Sequence, residues 1–315
     1  MTTSFYSNGK LLISGEYLVL DGALSLAVPT VYGQSLSIKT VPGRQLIWKS
    51  LDEKGKVWFQ EIYDLNTSES TIIKATTTAE NTNLPEDTEK VSSTLRSILN
   101  EAKKINPLFL QGEEGYEVTS ALNFPRDWGL GSSSTLINNI AQWANVDAYT
   151  LLWNAFSGSG YDIACAQHNS PITYQLKDKN PIVKEVAFNP SFKNDLYFIH
   201  LNKKQNSRDG IATYRSKNID LFKELPKINS ITQRIITSTK RKQFEKLIDK
   251  HEAILSEILD IPTVKEQLFP DFKGAIKSLG AWGGDFILAA GNKNTASYFR
   301  DKGYNTIIPY SKMVR

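Results

Sequence analysis

The chain has 315 residues, 37 Lys and Arg against 33 Asp and Glu, and one cysteine, Cys165. Hydrophobic residues at 40% and charged residues at 22% exclude a disordered or fibrous protein, and the length suits roughly two domains. A formal charge of +4 is too small to argue for nucleic acid, and a lone cysteine excludes an internal disulfide framework and a cysteine-ligated zinc site.

In chain order, apolar runs at 10–13, 17–20, 24–28 and 34–39 are broken by Gly and Pro, which predicts several strands. Trp48, Val57, Trp58, Phe59 and Ile62 continue the strand pattern over 46–63, with Gly55 placed for a hairpin turn. The Thr- and Ser-rich stretch 66–83 fits a strand plus an exposed loop. Val91, Leu95, Ile98, Leu99 and Ala102 recur at helical spacing and predict one amphipathic helix over 87–104. Residues 116–124 alternate as a strand, 125–131 read as a loop, and Leu136, Ile140 and Trp143 predict a helix over 132–144. Strands are expected at 172–176 and 196–201, and a helical region at 231–259, whose basic run Lys240, Arg241 and Lys242 reads as a solvated face. Residues 272–279 lead as helix or strand into Gly280, followed by a strand at 285–290, a helix at 295–301 and a strand at 305–309.

The first half is thus sheet-rich and the second half α+β, with a boundary near residue 185 and domains of 1–185 and 186–315. Residues 1–10 are polar, and no run approaches ~18 apolar residues. The expectation is a cytoplasmic protein that is neither secreted nor membrane-spanning, a monomer or a homodimer, with a charge compatible with an anionic small substrate.

The segment Gly129-Leu130-Gly131-Ser132-Ser133-Ser134-Thr135 carries the most chemical information. Its glycines let backbone N–H groups turn toward a ligand, and a helix N-terminus adds unsatisfied donors and a positive dipole end, which together cradle an anion such as phosphate. Taken alone, the same residues also suit a Ser-capped helix after a Gly turn. Other templates do not fit. There is no G-x-x-x-x-G-K-[ST], and Gly129-Leu130-Gly131 and Gly158-Ser159-Gly160 lack the third glycine of a dinucleotide fingerprint. Phe156-Ser157-Gly158-Ser159-Gly160 misses the G-x-S-x-G elbow at its first position. With His168, His200 and His251 present, a Ser-His-Asp hydrolase stays open but unsupported.

Two further segments fall into place around that loop: Gly9-Lys10 with Gly15-Glu16 near the N-terminus, and Gly280-Ala281-Trp282-Gly283-Gly284-Asp285 near the C-terminus. The three, in this order, resemble the signature motifs P-G-K-x-x-x-x-G-E, G-L-G-S-S-A and G-A-G-G-G of the GHMP kinases, named for galactokinase, homoserine kinase, mevalonate kinase and phosphomevalonate kinase. The resemblance spans most of the chain. It implies an N-terminal domain like ribosomal protein S5 domain 2 and a ferredoxin-like C-terminal domain. It also implies ATP and Mg2+ as cofactors, with Gly129, Leu130, Gly131, Ser132, Ser133 and Ser134 holding the nucleotide phosphates and Ser133 a ligand of the metal.

Gly158-Ser159-Gly160-Tyr161-Asp162 resembles the segment that carries the catalytic aspartate of mevalonate and phosphomevalonate kinases. By position Asp162 is then the base and Lys10 the cation that stabilises developing charge. Left to themselves, Asp162 reads as a helix cap and Lys10 as a strand-edge charge. Glu16, Gly283, Gly284 and Lys203 are the positions that match substrate-facing segments, and the Gly15-Glu16-Tyr17 start and Gly283-Gly284-Asp285 ending look closer to phosphomevalonate kinase than to galactokinase. The expected reaction is transfer of the γ-phosphoryl of Mg-ATP to mevalonate or phosphomevalonate, with homoserine, a sugar or a non-catalytic nucleotide-binding member as alternatives. Three features depart from the pattern: Asn8 replaces a proline, Trp282 replaces a glycine, whose indole is expected to narrow the approach, and no glutamate lies between Asp147 and Asp162.

Overall fold

The computed structural model describes residues 2–66, 73–74, 87–203, 207–280, 282 and 284–315. Most of the Thr- and Ser-rich stretch 66–83 lies outside the described residues, and so does Gly283.

Strands β1 (Thr2–Ser14) and β2 (Ser25–Val41) are long, and a 3-10 turn at Leu18–Asp21 stands between them. The four runs expected there as separate strands are therefore two strands and a turn. Residues 17–20 turn because Gly15 (φ 90°) and Tyr17 (φ 58°) both take positive φ, and Gly22 (φ 86°) closes the turn. The expected hairpin is present as β3 (Gln45–Leu51) and β4 (Val57–Asp64), with Gly55 at φ 76° in its loop. Strand β5 (Ile73–Lys74) pairs with β4, helix α1 (Asp87–Ile105) follows, and β6 (Gly115–Leu122) lies parallel to β3, which is the connection a crossover helix permits. Next come α2 (Ser132–Ala144), α3 (Ala148–Ala155) and α4 (Tyr161–Gln167). Strands β7 (Ile172–Lys177) and β8 (Asn180–Glu185) form a second hairpin, followed by β9 (Leu196–His200).

The remaining elements are α5 (Ser207–Arg215), α6 (Leu221–Ile236), α7 (Arg241–Leu259), α8 (Val264–Leu268), β10 (Ala275–Ser278), β11 (Phe286–Ala290), α9 (Thr295–Asp301), β12 (Ile307–Pro309) and α10 (Tyr310–Met313). The helical region expected over 231–259 is two helices. Asp220 caps α6 by accepting from the Lys223 N–H, and the helix stops where the Ser238 hydroxyl donates back to the Arg234 carbonyl at 2.7 Å. The basic run after that break is not a plain solvated face. Lys240 and Lys242 are exposed, but half-buried Arg241 pairs with Asp195 at 3.4 Å and Glu245 at 3.1 Å.

Where the sequence suggests one cut near residue 185, the compact units interleave. The first takes Met1–Asn8, Tyr32–Arg126 and Gly131–Gln167, and the second takes Gly9–Val31, Asp127–Leu130 and His168–Arg315. Strand length is the reason: 13 and 17 residues at about 3.3 Å each give strands of roughly 40 and 55 Å, longer than one small unit needs.

In the first unit the strand order is β5-β4-β3-β6 and then the later part of β2. Helices α1, α2 and α3 pack together, and Trp48, Tyr63, Leu99, Val118, Ile140 and Leu151 are buried in one core. In the second unit the start of β2 pairs with β7, and a separate antiparallel sheet runs β10-β11-β9-β12. Ile199, Phe269, Ile276, Ile287 and Phe299 fill one core of that unit; Tyr17, Tyr214, Ile228, Leu255 and Trp282 fill another. The α+β class expected from the sequence holds.

Leu99 is fully buried in α1, so Leu99→Ala is expected to cost about 2–5 kcal/mol in urea unfolding. A loss well under that range would mean that the helix layer closes over the missing side chain.

Candidate active site

In the first unit, α2 starts at an unusual N-cap. Gly131 takes φ 86° and ψ 38°, and no side chain caps the helix end. The first-turn N–H groups of α2 are therefore presented without a capping oxygen, the arrangement that favours an anion. Ser133 is exposed at this end, Ser132 is half-buried, and Ser134 is buried. The Ser134 hydroxyl donates to Asp162 Oδ2 at 3.1 Å. Asp162 sits half-buried in the first turn of α4, behind Gly158 (φ 143°) and Gly160 (φ 89°). The structure thus joins the serine-rich helix start and the sequence-predicted base by a direct hydrogen bond. Nearby, burial pushes the Tyr149 phenol above its ordinary range, and the charges of Cys165, Asp147 and Asp162 add to the effect, so this hydroxyl keeps its proton.

What holds α2 was not legible as function. Thr135 Oγ1 donates to Gln34 Oε1 at 2.6 Å, and Gln34 Nε2 donates to Ser120 Oγ at 2.6 Å. On the inner face, Asn138 Nδ2 donates to Ser7 Oγ at 2.8 Å, Ser7 Oγ donates to Asn139 Oδ1 at 2.7 Å, and Asn139 Nδ2 donates to the Gln34 carbonyl at 2.9 Å. Gln167 Nε2, at the end of α4, donates to Asn138 Oδ1 at 3.0 Å. Two helices, one bearing Ser134 and the other Asp162, are thereby tied by a second bond. The signal in the sequence was the pair Asn138-Asn139 between Ile137 and Ile140, polar residues at positions that a simple amphipathic helix would fill with apolar ones.

In the second unit, Lys10 is bound to the glycine loop at both ends. Its N–H donates to the Leu130 carbonyl at 3.0 Å, and its ammonium donates to the Gly129 carbonyl at 3.2 Å. Gly129 takes φ 65°, and a Cβ there would overlap the Asp285 carboxylate. Gly280 takes φ 76°, and its Cβ would meet Asp285 Oδ2 at 2.8 Å. The Asp285 carboxylate, 7% exposed, is thus packed against a glycine of each of two motifs, a role that the sequence alone did not assign. Its backbone N–H donates to the Lys203 carbonyl at 2.7 Å, which brings Lys203, exposed, beside the third motif. Glu16 and Gly284 are buried.

Trp282 does not stand as an obstruction of the kind expected. Its indole is buried in the core with Tyr17, Leu18, Ala23, Tyr214, Ile228 and Leu255. Of the histidines, His200 Nε2 lies 3.3 Å from the Asp127 carbonyl and His251 Nε2 accepts the Gly15 N–H at 2.9 Å, so two of the three face backbone groups.

No family model matches the sequence, and no curated protein matches it. Solved structures do, along nearly the whole chain, and what they show is the fold, which is that of the GHMP kinases. Streptococcus pneumoniae phosphomevalonate kinase, solved with phosphomevalonate and AMPPNP, has a TM-score of 0.69 at 15% identity, over 96% of this chain and 98% of its own. Methanococcus jannaschii mevalonate kinase has a TM-score of 0.66 at 14% identity, over 96% and 94%. Lactococcus lactis galactokinase, complexed with galactose, has a TM-score of 0.63 at 16% identity, over 95% and 88%.

Gly129→Ala is expected to destabilise the protein by about 1–2 kcal/mol from the left-handed backbone alone, and by more because the new methyl also displaces the Asp285 carboxylate. Chemical denaturation of the purified variant measures this, and an unchanged midpoint would show that the loop relaxes to another backbone conformation.

Proposed function

We propose that this protein is an ATP-dependent small-molecule kinase that transfers the γ-phosphoryl of Mg-ATP to mevalonate or phosphomevalonate. The observation that carries the reading is the hydrogen bond from Ser134 to Asp162 at the uncapped start of α2. It joins a phosphate-binding geometry to a carboxylate within one compact unit.

Each residue has a part that its surroundings support. The loop amides, the hydroxyls of Ser132 and Ser133 and the backbone N–H of Ser134 bind phosphate oxygens. Hard oxygen donors at the helix start, with Ser133 exposed among them, suit a magnesium that keeps several waters. Such an ion, held by Ser133 and the nucleotide phosphates, would neutralise charge on the transferring group. Asp162 accepts the proton of the acceptor oxygen as it attacks, and the Ser134 hydroxyl orients the carboxylate by donating to its Oδ2. Lys10 supplies a positive charge fixed by its bond to Gly129 and stabilises the charge that develops. Glu16, Gly283, Gly284 and Lys203 bind the acceptor, with the Lys203 ammonium suited to an anionic one.

The likeness to a phosphomevalonate kinase with the higher TM-score, and the motif endings, favour mevalonate or phosphomevalonate. The match to a galactokinase keeps a sugar as the second reading. No helix among the described residues is long and apolar enough to cross a membrane. The proposal places the enzyme in the cytoplasm, as a monomer or a homodimer.

The test is ADP release from Mg-ATP with mevalonate, phosphomevalonate, homoserine and galactose. One acceptor is expected to drive turnover, Asp162→Asn to lower kcat by about 10²–10⁴, and Lys10→Met to lower it comparably with the nucleotide still bound. Nucleotide binding without turnover on any acceptor would replace the kinase by a non-catalytic nucleotide-binding protein.

A further inference from the structure

Three ionisable side chains lie inside the second unit and have no part in the roles above: His251 (0% exposed) and Glu252 (2%) on α7, and Lys277 (0%) on β10. The Lys277 ammonium pairs with Glu252 Oε1 at 3.2 Å and donates to the Ser278 carbonyl. The Ser278 N–H donates to Glu252 Oε2 at 2.9 Å. Glu252 Oε1 lies 3.5 Å from His251 Nδ1, and on the far side of the ring Nε2 accepts the Gly15 N–H at 2.9 Å. That last bond fixes the state of the imidazole. A nitrogen that accepts carries no proton, so the neutral ring holds its proton on Nδ1, on the side of Glu252.

The segment so held is a demanding one. Gly15 takes φ 90°, and a Cβ there would overlap the Ser25 side chain; two residues on, Tyr17 takes φ 58° and ψ −50°. Such backbone persists only where its surroundings over-determine it. The Ser14 hydroxyl lies 2.8 Å from the Thr232 hydroxyl of α6, and Asn229 of the same helix accepts the Leu24 N–H at 2.7 Å, so both ends of the turn are stitched to that helix. His251 supplies the bond in the middle. A buried Lys–Glu pair is commonly no more stabilising than apolar side chains of the same volume, which directs attention to a task in specifying geometry.

The geometry points to His251 as a positioning residue for the Gly15-Glu16-Tyr17 turn, its ring backed by the Glu252–Lys277 pair, so that α7 and β10 set where the Glu16 carboxylate stands. The inference rests on the reading of Glu16 as an acceptor-binding residue. Its consequence is a split between the two substrates: loosening the turn disturbs the acceptor and leaves the nucleotide alone.

The experiment compares the wild type with His251→Leu, His251→Gln and the double variant Glu252→Leu, Lys277→Met. Hydrogen exchange of the peptide around residue 15 is measured without ligand, and KM is measured for the acceptor and for ATP. In His251→Leu, exchange at Gly15 is expected to rise by about tenfold or more, and acceptor KM by about tenfold with ATP KM unchanged. His251→Gln keeps an oxygen that can accept from Gly15 and is expected to stay close to the wild type. The double variant is expected to fold and to exchange faster at Gly15. It carries the test if His251→Leu does not fold. Equal behaviour of the Leu and Gln variants, a joint rise of both KM values, or an unchanged Gly15 amide in the double variant would overturn the assignment. Absence of turnover by the wild type on every acceptor would sink the kinase reading instead, and the exchange measurements would then decide the positioning role alone.

Discussion

Helix α2 begins at a left-handed glycine, and no side chain caps its first-turn N–H groups. A helix end left open in this way does not locate itself, because the contacts that normally fix an N-terminus are missing. The first unit compensates from the inner face, where Gln34, Ser7, Asn138, Asn139 and Gln167 close a hydrogen-bonded network around the helix. Buried polar groups that are mutually satisfied specify one arrangement in a way that apolar packing does not. The chemistry at the open end therefore depends on polar residues a turn or two further into the core.

The second unit solves a related problem with charge. Its glycine turns at 129 and 280 converge on one carboxylate, that of Asp285, and the absence of two Cβ atoms is what lets it in. Lys10 lies against the loop backbone by both its main-chain and its side-chain nitrogen. Substituting any of these residues alters how the others fit, so single-residue effects in this region are expected to be non-additive.

The elements with strong local signatures could be read from the sequence. The helix over 132–144, the hairpin around Gly55 and the helix over 295–301 follow from spacing and turn chemistry, and the structure has them where they are expected. Apolar runs at 17–20 and 24–39 could not be parsed, because whether a run extends or turns depended on positive φ at Gly15, Tyr17 and Gly22 and on pairing with strands more than a hundred residues away. The break at 237–240 was hidden for a similar reason: Thr and Ser hydroxyls end α6 by bonding back to carbonyls, without the glycine that usually announces a stop. Of the site, the residues carried by motifs stood out, while the packing of the Asp285 carboxylate, the bond of His251 to Gly15 and the asparagine pair did not. Their importance comes from tertiary neighbours, and a motif records only neighbours along the chain.

The interleaving of the two units bears on how the chain matures. During synthesis the ribosome delivers residues 9–31 well before β7, so the start of β2 finds its β7 partner only when residues 172–174 have emerged. The apolar stretch from Leu18 to Val28, which has β1 beside it early, must therefore wait with one edge of its strand open through the making of nearly half the protein. Segments that wait in this condition are the ones that aggregate or recruit chaperones, and the same threading means that neither unit can be excised from the gene as one continuous piece.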